Sequence, residues 1–173
     1  MASPPWLKEI RGWDGVREVP GPGVNARIRD LWLSLPGGAW FWKEYGSDDS
    51  KLPWCGAMMA GIMRACGIPF PAKYSGAREW LRWGVPLPEA CAGAVAVFTR
   101  PGAPGSAHVG IIEGRNSRGE YMVWGGNQRD GVCLIPIAAD RLAGCRWPSG
   151  FPLPGIATLP LIAGTAPAST NEA

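Results

Sequence analysis

The chain has 173 residues, a net charge of +3 and a hydrophobic fraction of 46%, which is enough apolar material for one packed domain. Only 18% of the residues are charged, so the composition excludes a disordered chain, and no apolar run is long enough to cross a membrane. The small, dispersed charge does not favour nucleic acid as a partner. The first residues lack the pattern of a secretory signal.

The first part of the chain predicts helices. Residues 4–18 carry Trp6, Ile10 and Trp13 at helical spacing, and Asn25 is a suitable N-cap for a second helix. Residues 39–53 predict a loop. A short helix capped by Ser75 is expected further along.

The third predicted helix begins near Pro53 and has an apolar stripe at helical spacing. The stripe consists of Cys55, Met58, Met59, Ile62, Met63 and Cys66. The opposite face has small rather than charged residues. We therefore expect this helix to be packed on several sides and to lie at the centre of the domain.

From residue 94 onward, short apolar runs separated by Gly-rich turns predict strands. The predicted strands are 94–99, 107–113, 120–124 and 132–137, with an edge strand at 145–147. Helices followed by strands indicate an α+β domain, with N-terminal helices packed on an antiparallel sheet. We expect this domain to cover residues 1–148. The Pro-, Ala- and Gly-rich residues 149–173 predict a poorly structured or surface-wrapping tail.

The chain has five cysteines, an odd number, and no two of them have Cys-x-x-Cys spacing. Neither a disulfide framework nor a zinc site is therefore predicted. We expect Cys66, Cys91, Cys133 and Cys145 to be small buried hydrophobes. Cys55 differs because it lies in the first turn of the central helix, where backbone N–H groups and the helix dipole favour a thiolate.

A reactive thiol needs a base, and His108 is the only histidine. If the strands containing His108 and Trp124 form a hairpin, His108 is opposite Asn127, whose amide could orient the imidazole. A register slip of one residue would put Gln128 or Gly126 there instead. Glu113 is a rival orienting group, but its position on the strand predicts that it faces the other side.

Three segments carry a resemblance to a known family: Leu52-Pro-Trp-Cys-Gly-Ala57, Ala107-His-Val-Gly-Ile-Ile112 and Val123-Trp-Gly-Gly-Asn-Gln128. Together they resemble the small CHAP-type and NlpC-like cysteine hydrolases, in particular single-domain phage and prophage proteins. The resemblance implies a papain-like fold that cuts amide bonds in bacterial peptidoglycan. It implies Cys55 as nucleophile, His108 as base and Asn127 as orienting residue.

The sequence departs from many NlpC-like enzymes at Trp54 and Gly56, which flank the cysteine, and Asn127 fits the CHAP variant better. Cleavage at the sugar–peptide amide and cleavage inside the peptide both remain open. Some CHAP domains bind calcium, but Asp48 and Asp49 supply too few oxygen ligands for such a site. No cofactor or metal site is predicted.

We expect Trp54, Trp83, Trp124 and Gln128 to contact the substrate in an open groove. We expect a monomeric peptidoglycan hydrolase without a nucleic-acid partner or membrane insertion. A phage or prophage endolysin would be made in the host cytoplasm and would reach the cell wall after holin-type release. The alternatives are an antibacterial toxin delivered by a secretion system, a virion-associated lysin, and an inactive module that only binds cell wall.

Overall fold

The computed structural model describes residues 3–45, 48–154 and 159–163. It has helices and a six-stranded antiparallel sheet, which confirms the α+β class. The helices are α1 Pro5–Arg11, α2 Ala26–Ser34, α3 Gly38–Tyr45 and α4 Cys55–Ala65, with short 3-10 helices at Asp49–Lys51, Ala77–Arg82 and Ala139–Arg141. The strands are β1 Val85–Leu87, β2 Val95–Thr99, β3 Ala107–Arg115, β4 Tyr121–Gly125, β5 Cys133–Ile137 and β6 Leu142–Trp147. Within the described ranges, no helix combines the length and apolar character needed to cross a bilayer.

The strand order of the sheet is β1-β6-β2-β3-β4-β5. Strands β2 to β5 form the expected antiparallel meander, but the prediction that the last strand lies at an edge is wrong. Strand β6 lies between β2 and the short strand β1, where Val85 pairs with Trp147. The sequence did not predict β1, whose central residue is Pro86; a proline is tolerated there because the strand is at the edge of the sheet.

Two helical predictions are also corrected. Helix α1 ends at Arg11 instead of continuing to residue 18, and the chain then turns so that the Gly15 N–H donates to the Val132 carbonyl. The segment expected to be a loop contains α3. Its Phe41 packs on Trp32 of α2, with ring centroids 5.2 Å apart. This tertiary contact anchors a segment whose sequence lacks a clear helical periodicity.

Helix α4 is central, as its sequence pattern predicted. Its apolar stripe is buried, and so are most of its small residues. The small residues allow close approach: a Cβ on Gly61 would lie 2.1 Å from Leu31 Cδ1, and one on Gly56 would lie 2.2 Å from the Tyr74 carbonyl oxygen. Helix α2 and the 74–75 segment can therefore pack directly on α4, while β3 and β4 lie against it from the sheet.

The described parts of residues 149–173 pack on the domain. Phe151 makes an edge-on contact with Trp6 at 5.1 Å between ring centroids. Further along, the Arg115 N–H donates to the Pro160 carbonyl and the Ile162 N–H donates to the Arg115 carbonyl. Residues 155–158 and 164–173 lie outside the described residues, and the domain boundary at residue 148 stays a prediction.

Candidate active site

Cys55 is the first residue of α4 and has 4% of its surface exposed. Its sulfur accepts hydrogen bonds from the backbone N–H of Val109 on β3 and from that of Gly56 in the first turn of α4. The preceding Trp54 occupies the N-cap position without a side-chain cap. The start of the helix therefore presents its N–H groups to the thiol, as the sequence predicted.

Burial nevertheless has the largest effect on the pKa of this thiol. Loss of solvent raises the pKa of Cys55 above its ordinary value, against the backbone N–H groups and the positive charge of Arg100, which act to lower it. The backbone N–H groups at the helix start favour the thiolate, as expected, but burial opposes them and is the larger effect. Burial therefore favours the protonated thiol, and a nearby base is needed to activate it.

His108 lies on β3, fully buried, opposite Phe98 of β2. Its Nε2 atom is 2.8 Å from Oε1 of Gln128. The amide nitrogen of Gln128 donates to the carbonyls of Val123 at 3.2 Å and Cys133 at 2.5 Å. Because carbonyls only accept hydrogen bonds, the amide oxygen must face the ring, and Nε2 of the neutral imidazole carries the proton. The basic nitrogen is then Nδ1.

The basic nitrogen lies on the side of the ring that faces the main chain of β3. Nδ1 is bonded to Cγ and is nearer the backbone than Nε2, which is held by Gln128. The next residue along the strand, Val109, donates its N–H to the Cys55 sulfur. The Cys55 sulfur is therefore held against β3 at the residue that follows His108.

The amide that binds the imidazole is Gln128 and not Asn127. The register of β3 and β4 begins as expected, with Ile111 opposite Trp124, but β4 ends at Gly125 before it can place Asn127 opposite His108. Asn127 adopts a left-handed backbone with φ of 59°. In the described part of the chain its side chain makes no hydrogen bond.

The turn after β4 carries the side chain of Gln128 inward. Arg129 and Asp130 also have positive φ, and the backbones of Gln128 and Gly131 exchange hydrogen bonds. The side chain of Gln128 is fully buried and holds the imidazole. Its contact with substrate stays a prediction.

Two glycines make room for this arrangement. A Cβ on Gly125 would lie 2.6 Å from the Gln128 amide oxygen and 2.9 Å from His108 Nε2. A Cβ on Gly126 would lie 2.7 Å from both Met58 Cβ and the Trp54 ring. The Gly-Gly pair therefore lets the end of β4 approach both the imidazole and the start of α4.

The three tryptophans expected to contact the substrate differ in how much of their surface is exposed. Trp54 is fully buried, and its indole N–H donates to the Glu18 carboxylate at 2.6 Å, so it is a core residue and not a groove wall. Trp124 is 9% exposed and donates to Glu113 at 2.8 Å. Trp83 is half-buried and contacts Trp80. Of the three, Trp83 has the surface most available to a ligand.

Several acidic groups near the site have structural roles. The Glu113 carboxylate also pairs with Arg11, so it ties α1 to the sheet and does not orient His108. Asp49 is buried and accepts the N–H of Asn25, whereas Asp48 accepts the N–H of Ser50. Among the described residues, no group of three or more His, Cys, Asp or Glu side chains is placed to hold a metal ion.

Sequence reasoning missed Arg100, whose charge acts on the Cys55 thiol. It follows Thr99, the last residue of β2, which pairs with Ala107 beside His108. Its position relative to Cys55 depends on the strand register, so the local sequence contains no signal for this effect.

No family model, curated protein or solved structure matches the chain. Function is therefore inferred from the geometry of the site together with the motifs around Cys55, His108 and Gln128. A buried thiol at a helix start, an imidazole on the adjacent strand and an amide that fixes its tautomer form a set suited to nucleophilic acyl transfer.

Proposed function

We propose that the chain is a papain-like cysteine hydrolase that cleaves an amide bond of bacterial peptidoglycan. One observation carries the proposal: the Cys55 sulfur is hydrogen-bonded by the residue next to His108, whose ring is held by Gln128. The nucleophile begins the central helix, and the base lies on the strand packed against it. This arrangement agrees with the fold that the motif resemblance implies.

The first half of the reaction forms a thioester. Nδ1 of His108 takes the thiol proton as the Cys55 sulfur attacks the carbonyl carbon of the scissile amide. The carbonyl oxygen becomes an oxyanion, and the backbone N–H of Cys55 at the helix start can donate to it. The C–N bond then breaks, and the leaving amine takes the proton from His108.

The second half releases the acyl group. His108 takes a proton from water, and the resulting hydroxide attacks the thioester carbonyl. The C–S bond breaks, the product leaves as a carboxylic acid, and the sulfur recovers a proton. Gln128 keeps the same ring orientation in both halves because its amide is fixed by the carbonyls of Val123 and Cys133.

Peptidoglycan as the substrate follows from the motif resemblance, and the site is compatible with it. Only 4% of the surface of the Cys55 residue is exposed, which favours a slender, extended substrate over a folded protein surface. Stem peptides and their link to the glycan have this thin form.

Digestion of purified cell-wall sacculi tests the proposal. We expect the parent protein to release fragments, and both Cys55→Ala and His108→Ala to lower the rate by about 10³-fold or more. Mass spectrometry locates the cut: a new N-terminal L-alanine identifies an amidase, and a new amine further along identifies an endopeptidase. Cys66→Ala, at the other end of α4, is the matched control and should retain activity.

Two results would contradict the proposal. If Cys55→Ala digests sacculi at the parent rate, the nucleophile assignment is wrong. If the parent protein binds sacculi but releases no fragments, the chain is a binding module and not a hydrolase.

A further inference from the structure

The two candidate catalytic side chains are almost closed off from solvent. Cys55 has only 4% of its surface exposed, and His108 is fully buried. In the proposed reaction the scissile carbonyl carbon must come within about 3.5 Å of the sulfur. Even a slender chain therefore needs part of the surrounding structure to move aside.

Most of the structure around the site is packed too closely to part easily. A Cβ on Gly56 would lie 2.2 Å from the Tyr74 carbonyl oxygen, and one on Gly126 would lie 2.7 Å from the Trp54 ring. Gln128, which holds the imidazole, is fully buried. Separating these groups would expose core surface and break buried hydrogen bonds, both of which are costly.

The loop of residues 100–106, between β2 and β3, is built differently. Residues 101–105 are exposed, and two backbone hydrogen bonds are made within the loop itself. A Cβ on Gly102 or on Gly105 would meet nothing within 4 Å, and both glycines have positive φ. The loop can therefore change its path without disturbing the core.

Both ends of this loop are close to the reacting groups. Its first residue, Arg100, carries a charge that acts on the Cys55 thiol. Its last residue, Ser106, is two positions before His108 and three before Val109, whose N–H donates to the Cys55 sulfur. The loop is therefore an exposed segment that borders the start of β3, where the thiol is held.

A hydrogen bond ties the loop to the 3-10 helix at Ala77–Arg82. Nε of Arg78 donates to the Gly105 carbonyl at 2.7 Å. Because Arg78 is exposed, water competes for this hydrogen bond and its net contribution is small. The 3-10 helix itself packs on α4 and β3. Arg78 therefore links a movable loop to a fixed part of the site.

We propose that the loop 100–106 is a gate over Cys55 and His108, and that Arg78 is its latch. While the Arg78–Gly105 hydrogen bond is formed, the loop shields the thiol. When that bond breaks, the loop moves away from the 3-10 helix and admits an extended chain to the sulfur. The shielding applies to any reagent for the thiol, whereas the role in admitting an amide rests on the proposed hydrolase function.

The rate at which iodoacetamide alkylates Cys55 measures opening without relying on turnover. The full chain is quenched at intervals and digested, and mass spectrometry follows the peptide that contains Cys55. We expect Arg78→Ala to be alkylated there about threefold faster than the parent protein, as the loss of one exposed hydrogen bond implies. Arg82→Ala removes an exposed arginine of the same 3-10 helix, which pairs with Glu79, and should keep the parent rate.

A second pair of variants tests the loop itself. Gly105→Ala places a side chain at a positive φ in the closed loop and should also speed alkylation of Cys55 about threefold. Gly119→Ala is the matched control, because this glycine also has positive φ and open space around its Cβ but lies in the turn at the other end of β3. It should keep the parent rate.

Two further readouts separate opening from other effects. Opening multiplies the alkylation rate equally at every pH, whereas a changed thiol pKa moves the midpoint of the pH–rate curve and would overturn the gate. Cys91, which is 8% exposed, reports general unfolding in the same samples. An equal rise in alkylation at Cys91 would also overturn the gate.

Unchanged alkylation of Cys55 in both Arg78→Ala and Gly105→Ala, in a protein that digests sacculi, refutes the gate and leaves the hydrolase intact. Faster alkylation of Cys55 alone, in a protein that digests nothing, supports the gate and refutes the hydrolase.

Discussion

The start of α4 and the turn that follows β4 supply opposite sides of the same site, but they are built in different ways. At the start of α4, Cys55 occupies its place because a regular helix begins there and its N–H groups point at the sulfur. At the turn, Gln128 meets His108 because three residues with positive φ carry the chain back under the sheet.

The difference shows how far regular geometry extends into a site. Helical periodicity places every residue of α4 on a defined face, so the position of Cys55 follows from its neighbours in sequence. Strand pairing does the same only as far as the strand continues. Beyond Gly125 the strand register no longer applies. The amide that binds the imidazole is therefore that of Gln128, one residue after the expected Asn127.

Removing the side-chain amide of Gln128 should produce the largest effect in this comparison. We expect Gln128→Ala to lower the hydrolysis rate by roughly 10²-fold, because the imidazole loses its fixed tautomer. It should also cost about 1–3 kcal/mol of unfolding free energy, since the partners of the amide remain buried. Rates and pH–rate profiles, together with chemical denaturation, measure both effects. A purely structural role would leave the profile unmoved.

Asn127→Ala is the matched control for that variant. It should keep the parent pH–rate profile and cost about 1 kcal/mol through its left-handed backbone, a cost that Asn127→Gly avoids. If Asn127→Ala abolishes hydrolysis while Gln128→Ala retains it, Asn127 orients the imidazole, as the strand register predicts, and Gln128 does not.

A smaller effect is expected where the end of β4 approaches the imidazole. Gly125→Ala adds a methyl group within 2.9 Å of His108 Nε2 and closer still to the Gln128 amide. We expect the hydrogen bond between them to lengthen and the rate to fall by about tenfold. Gly144→Ala in β6 is the control, because its Cβ would meet only the flexible end of Leu81 at 3.1 Å. Equal activity in both variants would contradict the tight fit at Gly125.

The smallest effect concerns Glu18, which supports the start of α4 through the Trp54 indole. Burial raises the pKa of the Glu18 carboxyl above its ordinary value. The folded protein therefore holds this proton more tightly than the unfolded chain. The resulting stability is present below the ordinary carboxyl pKa and is lost as pH rises through the raised value.

Glu18→Gln keeps an acceptor for Trp54 but cannot ionise. Thermal unfolding between about pH 4 and pH 8 should therefore show a gain in stability relative to the parent protein as the pH increases. A constant difference between the two proteins across this range would show that Glu18 does not titrate within it.

Local sequence was sufficient wherever a short-range rule decides the structure. Asn25 caps α2 by accepting the Arg27 N–H, and the apolar stripe of α4 and the four strands from β2 to β5 are found close to their expected positions. The assignment of Cys55 and His108 as candidate nucleophile and base rests on residue types and element positions, and it stays a prediction. Capping, periodicity and alternation depend on residues only a few positions apart.

Tertiary structure decided what depends on distant contacts. Helix α3 is held to α2 by the contact between Phe41 and Trp32, and β6 is an internal strand because β1 pairs with its outer side. The protonation of Cys55 depends on how completely α4 and β3 exclude water, and the choice of Gln128 depends on where β4 stops. No local pattern contains this information, because burial, electrostatic environment and the path of a turn are properties of the assembled fold.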